Sequence, residues 1–211
     1  TTQPVSRLRT RKVKIKTNIF VIRKIRRKSN QTFYSTHQHS MTGSLHHTTN
    51  TVGTINRKTG QFILRMNKTY RSIFLFLNQI QSATDHILYV NADSITPVDS
   101  TFMTTGEMIA VTETPFDFNT PKTIAPDVTN FENEQIKFGN GFDHNWVLNT
   151  KGDINQLAAK LTSPTSGITL EIYTNEPGIQ VYTGNFLDGT VKGKKGITYP
   201  QRASVCLETQ H

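Results

Sequence analysis

From Asp85 to the last residue, apolar and polar positions alternate in short runs broken by turn signals. His86–Ala92 (HILYVNA) reads as a strand, and Asp93, Pro97 and Asp99 follow as breakers. Met108–Val111 is a further short strand, closed by the turn at Pro115. In Ile168–Tyr173, Ile168, Leu170 and Ile172 alternate with Thr169, Glu171 and Tyr173, the period-2 pattern of a half-buried strand. Glu176-Pro177-Gly178 is a turn, after which Ile179–Thr183 resumes the alternation. Leu187-Asp188-Gly189-Thr190 carries an Asp-Gly turn, and Ser204–Thr209 is the final strand. Asn155–Leu161 (NQLAAKL) fits a helix or a strand equally. Short strands separated by frequent turn signals predict an all-β sandwich or barrel.

Residues 1–84 follow another pattern. A basic stretch with apolar residues inserted, VKIKTNIFVIRKIRRK, leads into text rich in Ser, Thr, His and Asn. This part holds 16 of the 24 Lys and Arg and no Asp or Glu, for a formal charge of +16. Residues 85–211 hold the other 8 basic residues and all 15 acidic ones, for −7. The net charge of +9 therefore averages two unlike sequences. The division drawn is 1–84, a basic, acid-free segment expected to be irregular and poorly packed, and 85–211, a β-sandwich domain. Four readings of the first part stay open: a basic arm for nucleic acid, a transit-type leader, a divergent part of the domain, and out-of-frame text from an AT-rich gene. Few aromatics interleave with the basic residues, so nucleic acid is not the expected partner.

A mean hydropathy of −0.45 describes a soluble chain. The longest apolar run, Ser72–Leu77, falls far short of the roughly 20 residues a membrane helix requires. A single cysteine, Cys206, excludes an internal disulfide and fits a reducing compartment, so a cytoplasmic location is expected. His37, His39, His46 and His47 lie close together but lack zinc-ligand spacing, and no metal site is expected.

Three clusters offer the carboxylates, amides and aromatics that a sugar site requires. They are Gly139–Trp146 (GNGFDHNW), Pro177–Gly189 (PGIQVYTGNFLDG) and Cys206–His211 (CLETQH). Taken singly, each admits a plainer reading. Asp143 follows Gly-Phe and could shape a turn, while Gln180 could face solvent opposite Ile179 and Val181. Glu208 shares a strand face with Cys206 and Gln210 and could be a surface acid. Trp146, Tyr173 and Tyr182 could stack on the apolar face of a sugar, and core or edge packing is their plainer reading.

Together, the strings VNADSITPVDSTFMTTGEMIAVTETPFDF, GFDHNWVL, EIYTNEPGIQVYTGNFLDGT and KGKKGITYPQRASVCLETQH resemble aldose 1-epimerases (galactose mutarotases). The resemblance covers about residues 83–211, the C-terminal half of that family's pattern. It implies a large galactose-mutarotase-like β-sandwich that interconverts the α and β anomers of free hexoses such as galactose and glucose. The implied chemistry is acid/base ring opening with no cofactor. The glutamate of LETQ, here Glu208, corresponds to the general base. The aspartate of GFDHN, here Asp143, and the glutamine of PGxQxYTGN, here Gln180, correspond to substrate-binding residues. His144 is expected to be structural.

The family's general acid is a histidine in a stretch approximating Asn-His-(Ser/Thr)-Tyr-Phe-Asn-Leu. The corresponding place, Asn67–Asn78 (NKTYRSIFLFLN), contains no histidine, so no general acid is identifiable. Leu45-His46 is a faint echo of a second family motif, Leu-His-Gly-Gly. The family pattern also continues beyond His211, so the sandwich is expected to be incomplete, its last strands missing. A defective or fragmentary copy stays open. The alternative is a non-catalytic carbohydrate-binding β-sandwich.

Overall fold

In a computed structural model, residues 82–165, 167–190, 196 and 198–211 are described in full, and the strands at 31–37, 49–56, 61–66 and 71–75 are described by their backbone pairing. Two sheets account for nearly all the regular structure, as the alternation predicts. The first has seven strands in the order β1 (Gln31–His37), β2 (Thr49–Asn56), β3 (Gln61–Met66), β11 (Thr169–Thr174), β10 (Ala159–Thr162), β5 (Ile87–Val90) and β8 (Lys122–Thr123). The second has six, in the order β4 (Arg71–Leu75), β13 (Val205–Gln210), β12 (Gly178–Tyr182), β9 (Asp143–Leu148), β6 (Ala92–Thr96) and β7 (Ile109–Ala110). The fold is an all-β sandwich, antiparallel except where β3 runs parallel to β11.

Residues 1–84, expected to be irregular, thus supply four paired strands. Thr169–Thr174 aligns with Gln61–Met66, and Val205–Thr209 aligns with Leu75–Arg71. The charge of this region conceals its strands: Gln61–Met66 (QFILRM) and Arg71–Leu75 (RSIFL) are short β-type runs that a sheet edge can recruit. The His37, His39, His46 and His47 side chains lie outside the described residues.

The core between the sheets is built by alternation. Along β9, His144, Trp146 and Leu148 are buried while Asp143, Asn145 and Val147 are half-buried. On the neighbouring strands Ile179, Val181, Val205 and Leu207 point inward with them. Trp146 lies edge-on or tilted against Phe116, Phe118 and Phe142, with ring centroids 5.5–6.2 Å away. Its indole N–H donates to the Phe116 carbonyl at 3.0 Å, so the one polar atom of this aromatic cluster is satisfied.

Of the two readings open for Asn155–Leu161, its end takes the strand, with Ala159 opening β10. A helix that the alternation does not predict is α1 (Glu134–Gly139), six residues long. Asn133 caps its start by accepting from the Gln135 and Ile136 N–H groups, and Asn140 ends it in the left-handed conformation at φ 51°. Both caps stand in the sequence as asparagines, but a helix this short shows no amphipathic period. Its position matters because Gly141, Phe142 and Asp143 follow directly and lead into β9.

Candidate functional site

The three sequence clusters meet on adjacent strands. Pairing aligns Tyr182 with Asp143 on one side and Cys206 on the other. One step along, Gln180 stands between Asn145 and Glu208, and beyond it Gly178 stands between Val147 and Gln210. With a side-chain period of two, Asp143, Asn145, Gln180, Tyr182, Cys206, Glu208 and Gln210 share the face opposite the core. Six of these seven are half-buried and Cys206 is buried.

Hydrogen bonds lock this face into a network. Gln180 Nε2 donates to Asp143 Oδ1 at 2.9 Å. Gln210 Nε2 donates to Asn145 Oδ1 at 3.0 Å and to Gln180 Oε1 at 3.1 Å. Gln210 reaches Asn145 across an entire strand because Gly178 lies between them without a side chain; a Cβ there would collide with the Asn145 amide oxygen. The Cys206 thiol donates to Glu208 Oε1 at 2.8 Å. The structure thus places Asp143, Gln180 and Glu208, the candidate site residues of the sequence, on one face of three adjacent strands. Alternation alone also flagged Cys206 and Gln210 beside Glu208. Tyr182 and Asn145 were not singled out as site residues, although each lies two positions from Gln180 or Asp143 on the same strand.

Burial shapes the electrostatics of two groups in this row. Burial raises the Asp143 carboxyl above its ordinary value; the Gln180 hydrogen bond opposes this, and the nearby charge of Glu208 adds to it. Burial likewise raises the Tyr182 phenol, with a contribution from Asp143.

The loop carrying Asp143 is held by a buried amide. Asn185 Nδ2 donates to the carbonyls of Gly139 and Phe142 at 2.7 and 2.9 Å. Its Oδ1 accepts from Thr183 Oγ1 at 2.6 Å and from the Arg202 guanidinium at 2.9 Å. Arg202 also donates to the Asn140 carbonyl at 2.9 Å. Gly141, at φ 131°, passes so close to Arg202 and Asn185 that any Cβ would strike both.

The described histidines do not join the polar row. His144 lies on the core face of β9, its ring 5.0 Å from Phe116 and 5.9 Å from Phe102. Its Nδ1 accepts from the Asp143 backbone N–H at 3.2 Å, and burial lowers its pKa to about 4. This is a neutral, packing histidine. His86 is buried beside the Asp85 carboxylate, and His211 is exposed, 3.6 Å from Glu176. In register across from Glu208 on β4 stands Ser72. Among the described residues no group of three or more His, Cys, Asp or Glu is placed to hold a metal ion, and no helix is long and apolar enough to cross a membrane.

The aldose 1-epimerase family model matches residues 9–211, reaching well upstream of residue 83 where the motif resemblance begins. Human galactose mutarotase is 40% identical over 147 residues, which are 69% of this chain and 41% of that protein. Aldose 1-epimerase of Haemophilus influenzae is 33% identical over 69% of this chain and 42% of its own length. The chain thus spans under half the length of these curated relatives. A crystal structure of an aldose epimerase homologue from C. elegans superposes with a TM-score of 0.56 at 27% identity, covering 77% of this chain and 50% of that one. The galactose 1-epimerase of Lactobacillus acidophilus, at 24% identity and a TM-score of 0.54, shares the fold. With a family match across almost its whole length, and with the motif residues assembled on one sheet face, this chain belongs to the aldose 1-epimerase family.

Proposed function

We propose that the protein is an aldose 1-epimerase that interconverts the α and β anomers of free hexoses such as galactose and glucose. The observation that supports this best is the row Asp143–Gln180–Glu208, three polar side chains from three adjacent strands on one face. Glu208 takes the proton from the anomeric hydroxyl. As that C1–O–H bond gives up its proton, the carbonyl forms at C1 and the bond from C1 to the ring oxygen breaks. The ring oxygen takes up a proton from water, since no acid histidine stands in Asn67–Asn78. The C1 group rotates, and the ring hydroxyl closes on the other face and gives its proton back to water. Glu208 returns its proton to the C1 oxygen, which yields the other anomer. Asp143 and Gln180 hold sugar hydroxyls through carboxylate and amide groups. The chemistry needs proton transfer and no electron transfer, so no cofactor is invoked. A cytoplasmic location accompanies the proposal, and nucleic acid has no part in it.

One observation favours a second reading, a β-sandwich that holds sugar without turning it over. Asn67–Asn78 lacks the family's acid histidine, and Ser72 occupies the register position across from Glu208. Without that histidine, no side chain named by the motifs supplies the ring-oxygen proton. Polarimetry on freshly dissolved α-galactose decides between them. Catalysed mutarotation that is lost in Glu208→Gln supports the epimerase. Sugar binding without any acceleration supports the binding module.

A further inference from the structure

Phe186 is 66% exposed, a large apolar ring standing in solvent at the end of the polar row. The chain turns after β12, with Gly184 at φ 66°, and folds Phe186 back over Tyr182. The two rings lie nearly parallel, 21° apart, with centroids at 6.4 Å. The Phe186 backbone N–H donates to the Tyr182 hydroxyl at 3.1 Å, which fixes the phenol under the second ring. Tyr182 in turn stands in register with Asp143, and the Asp143 charge acts on its phenol.

Solvent exposure of this ring has no evident role in stability. A single exposed apolar side chain is ordinary on a protein surface; what sets Phe186 apart is that its ring is stacked on Tyr182, whose strand neighbour in register is Asp143. Two stacked rings next to a carboxylate and an amide also match the two-sided chemistry of a pyranose. One side of such a sugar offers hydroxyls for Asp143 and Gln180, and the other offers a patch of C–H groups that packs on an aromatic face.

We propose that Tyr182 and Phe186 form an aromatic platform that takes the apolar C–H face of a hexopyranose whose hydroxyls are held by Asp143 and Gln180. The proposal rests on the sugar-site reading above and adds to it the residues that fix which way the ring lies. Phe186 supplies contact area at small entropic cost, because its backbone is already tied to Tyr182.

Saturation-transfer NMR and titration with galactose, on the full chain, test this without requiring turnover. Phe186→Ala should weaken galactose binding about three- to tenfold and diminish transfer to the sugar C–H protons. Phe186→Trp should restore both. Because the ring is exposed and its backbone hydrogen bond survives the substitution, the melting temperature of Phe186→Ala should match that of the unmutated chain. Unchanged affinity in Phe186→Ala, with binding weakened in Asp143→Ala, overturns the platform and keeps the sugar site. An unmutated chain that does not bind galactose at all overturns both.

Discussion

The two faces of strand β9 carry the same chain into opposite environments one residue at a time. His144 and Trp146 face the sandwich interior, where aromatic rings surround them and Trp146 makes its single polar bond to a backbone carbonyl. Asp143 and Asn145 face the other way, where every partner is a polar side chain reaching over from β12 or β13. The contrast teaches which changes should damage folding and which should damage chemistry. Inward residues are held by shape and area. Outward residues are held by side-chain hydrogen bonds.

The largest expected effect lies on the outward face. In active protein, Glu208→Gln should lower the mutarotation rate by about 10²–10⁴-fold, the usual contribution of a positioned base. Polarimetry on fresh α-galactose measures it, and a variant that retains full activity removes Glu208 from the base role. The inward counterpart is Trp146→Ala. Deleting a fully buried indole leaves a cavity among Phe116, Phe118 and Phe142 and should cost about 3–5 kcal/mol in denaturant unfolding. A loss below about 1 kcal/mol would show that the two faces do not divide the labour in this way.

His144 sharpens the comparison by titration. Its folded pKa is lowered to about 4 by burial, against an ordinary value of 6.5. The folded state therefore binds this proton less readily than the unfolded state. The resulting stability is fully present above about pH 6.5 and is lost as pH falls toward 4, amounting to about 3 kcal/mol. Unfolding measured from pH 7 to 4 should show this slope, and His144→Gln should flatten it. The same histidine accepts the Asp143 backbone N–H, so the substitution should also loosen the Asp143 loop.

These faces were partly legible in the sequence. The alternation in IQVYT and SVCLET placed Gln180 and Glu208 away from Val181 and Leu207, and the strands formed where it said. Register was not legible. Nothing along the chain states that Gln180 lies between Asn145 and Glu208, because antiparallel pairing between β9, β12 and β13 joins segments separated by loops of unrelated length. The role of Gly178 was hidden for the same reason: its lack of a side chain matters only once Gln210 must reach across it. The four strands before residue 85 were masked by a charge pattern that says much about solvent and little about backbone pairing. Helix α1 was missed although its asparagine caps are plain, since six residues give no helical period to read.

Asp143→Ala should weaken galactose binding by about 1.5–3 kcal/mol, the worth of a hydrogen bond to a charged group, with little change in unfolding. Isothermal titration reads the first and thermal melting the second. A large drop in melting temperature with affinity intact would make Asp143 a loop-stabilising residue instead.

The smallest effect, and the one of unexpected sign, concerns Asp143→Asn. The native carboxyl is raised above its ordinary value, chiefly by burial and further by the charge of Glu208. An acid whose folded pKa is raised prefers to be neutral in the native state, so its ionisation at neutral pH works against folding. An asparagine keeps an oxygen able to accept from Gln180 Nε2 and carries no charge into the half-buried row. Asp143→Asn should therefore melt at a slightly higher temperature than the unmutated chain at pH 7. The gap should shrink as pH falls through the ordinary carboxylate range, where the native side chain is neutral in both states. Sugar affinity should fall over the same comparison, because the amide offers one acceptor oxygen where the carboxylate offered two. A melting temperature that drops at pH 7 would mean that the carboxylate charge is satisfied by donors around it, and the outward face would then be a structural network before it is a site.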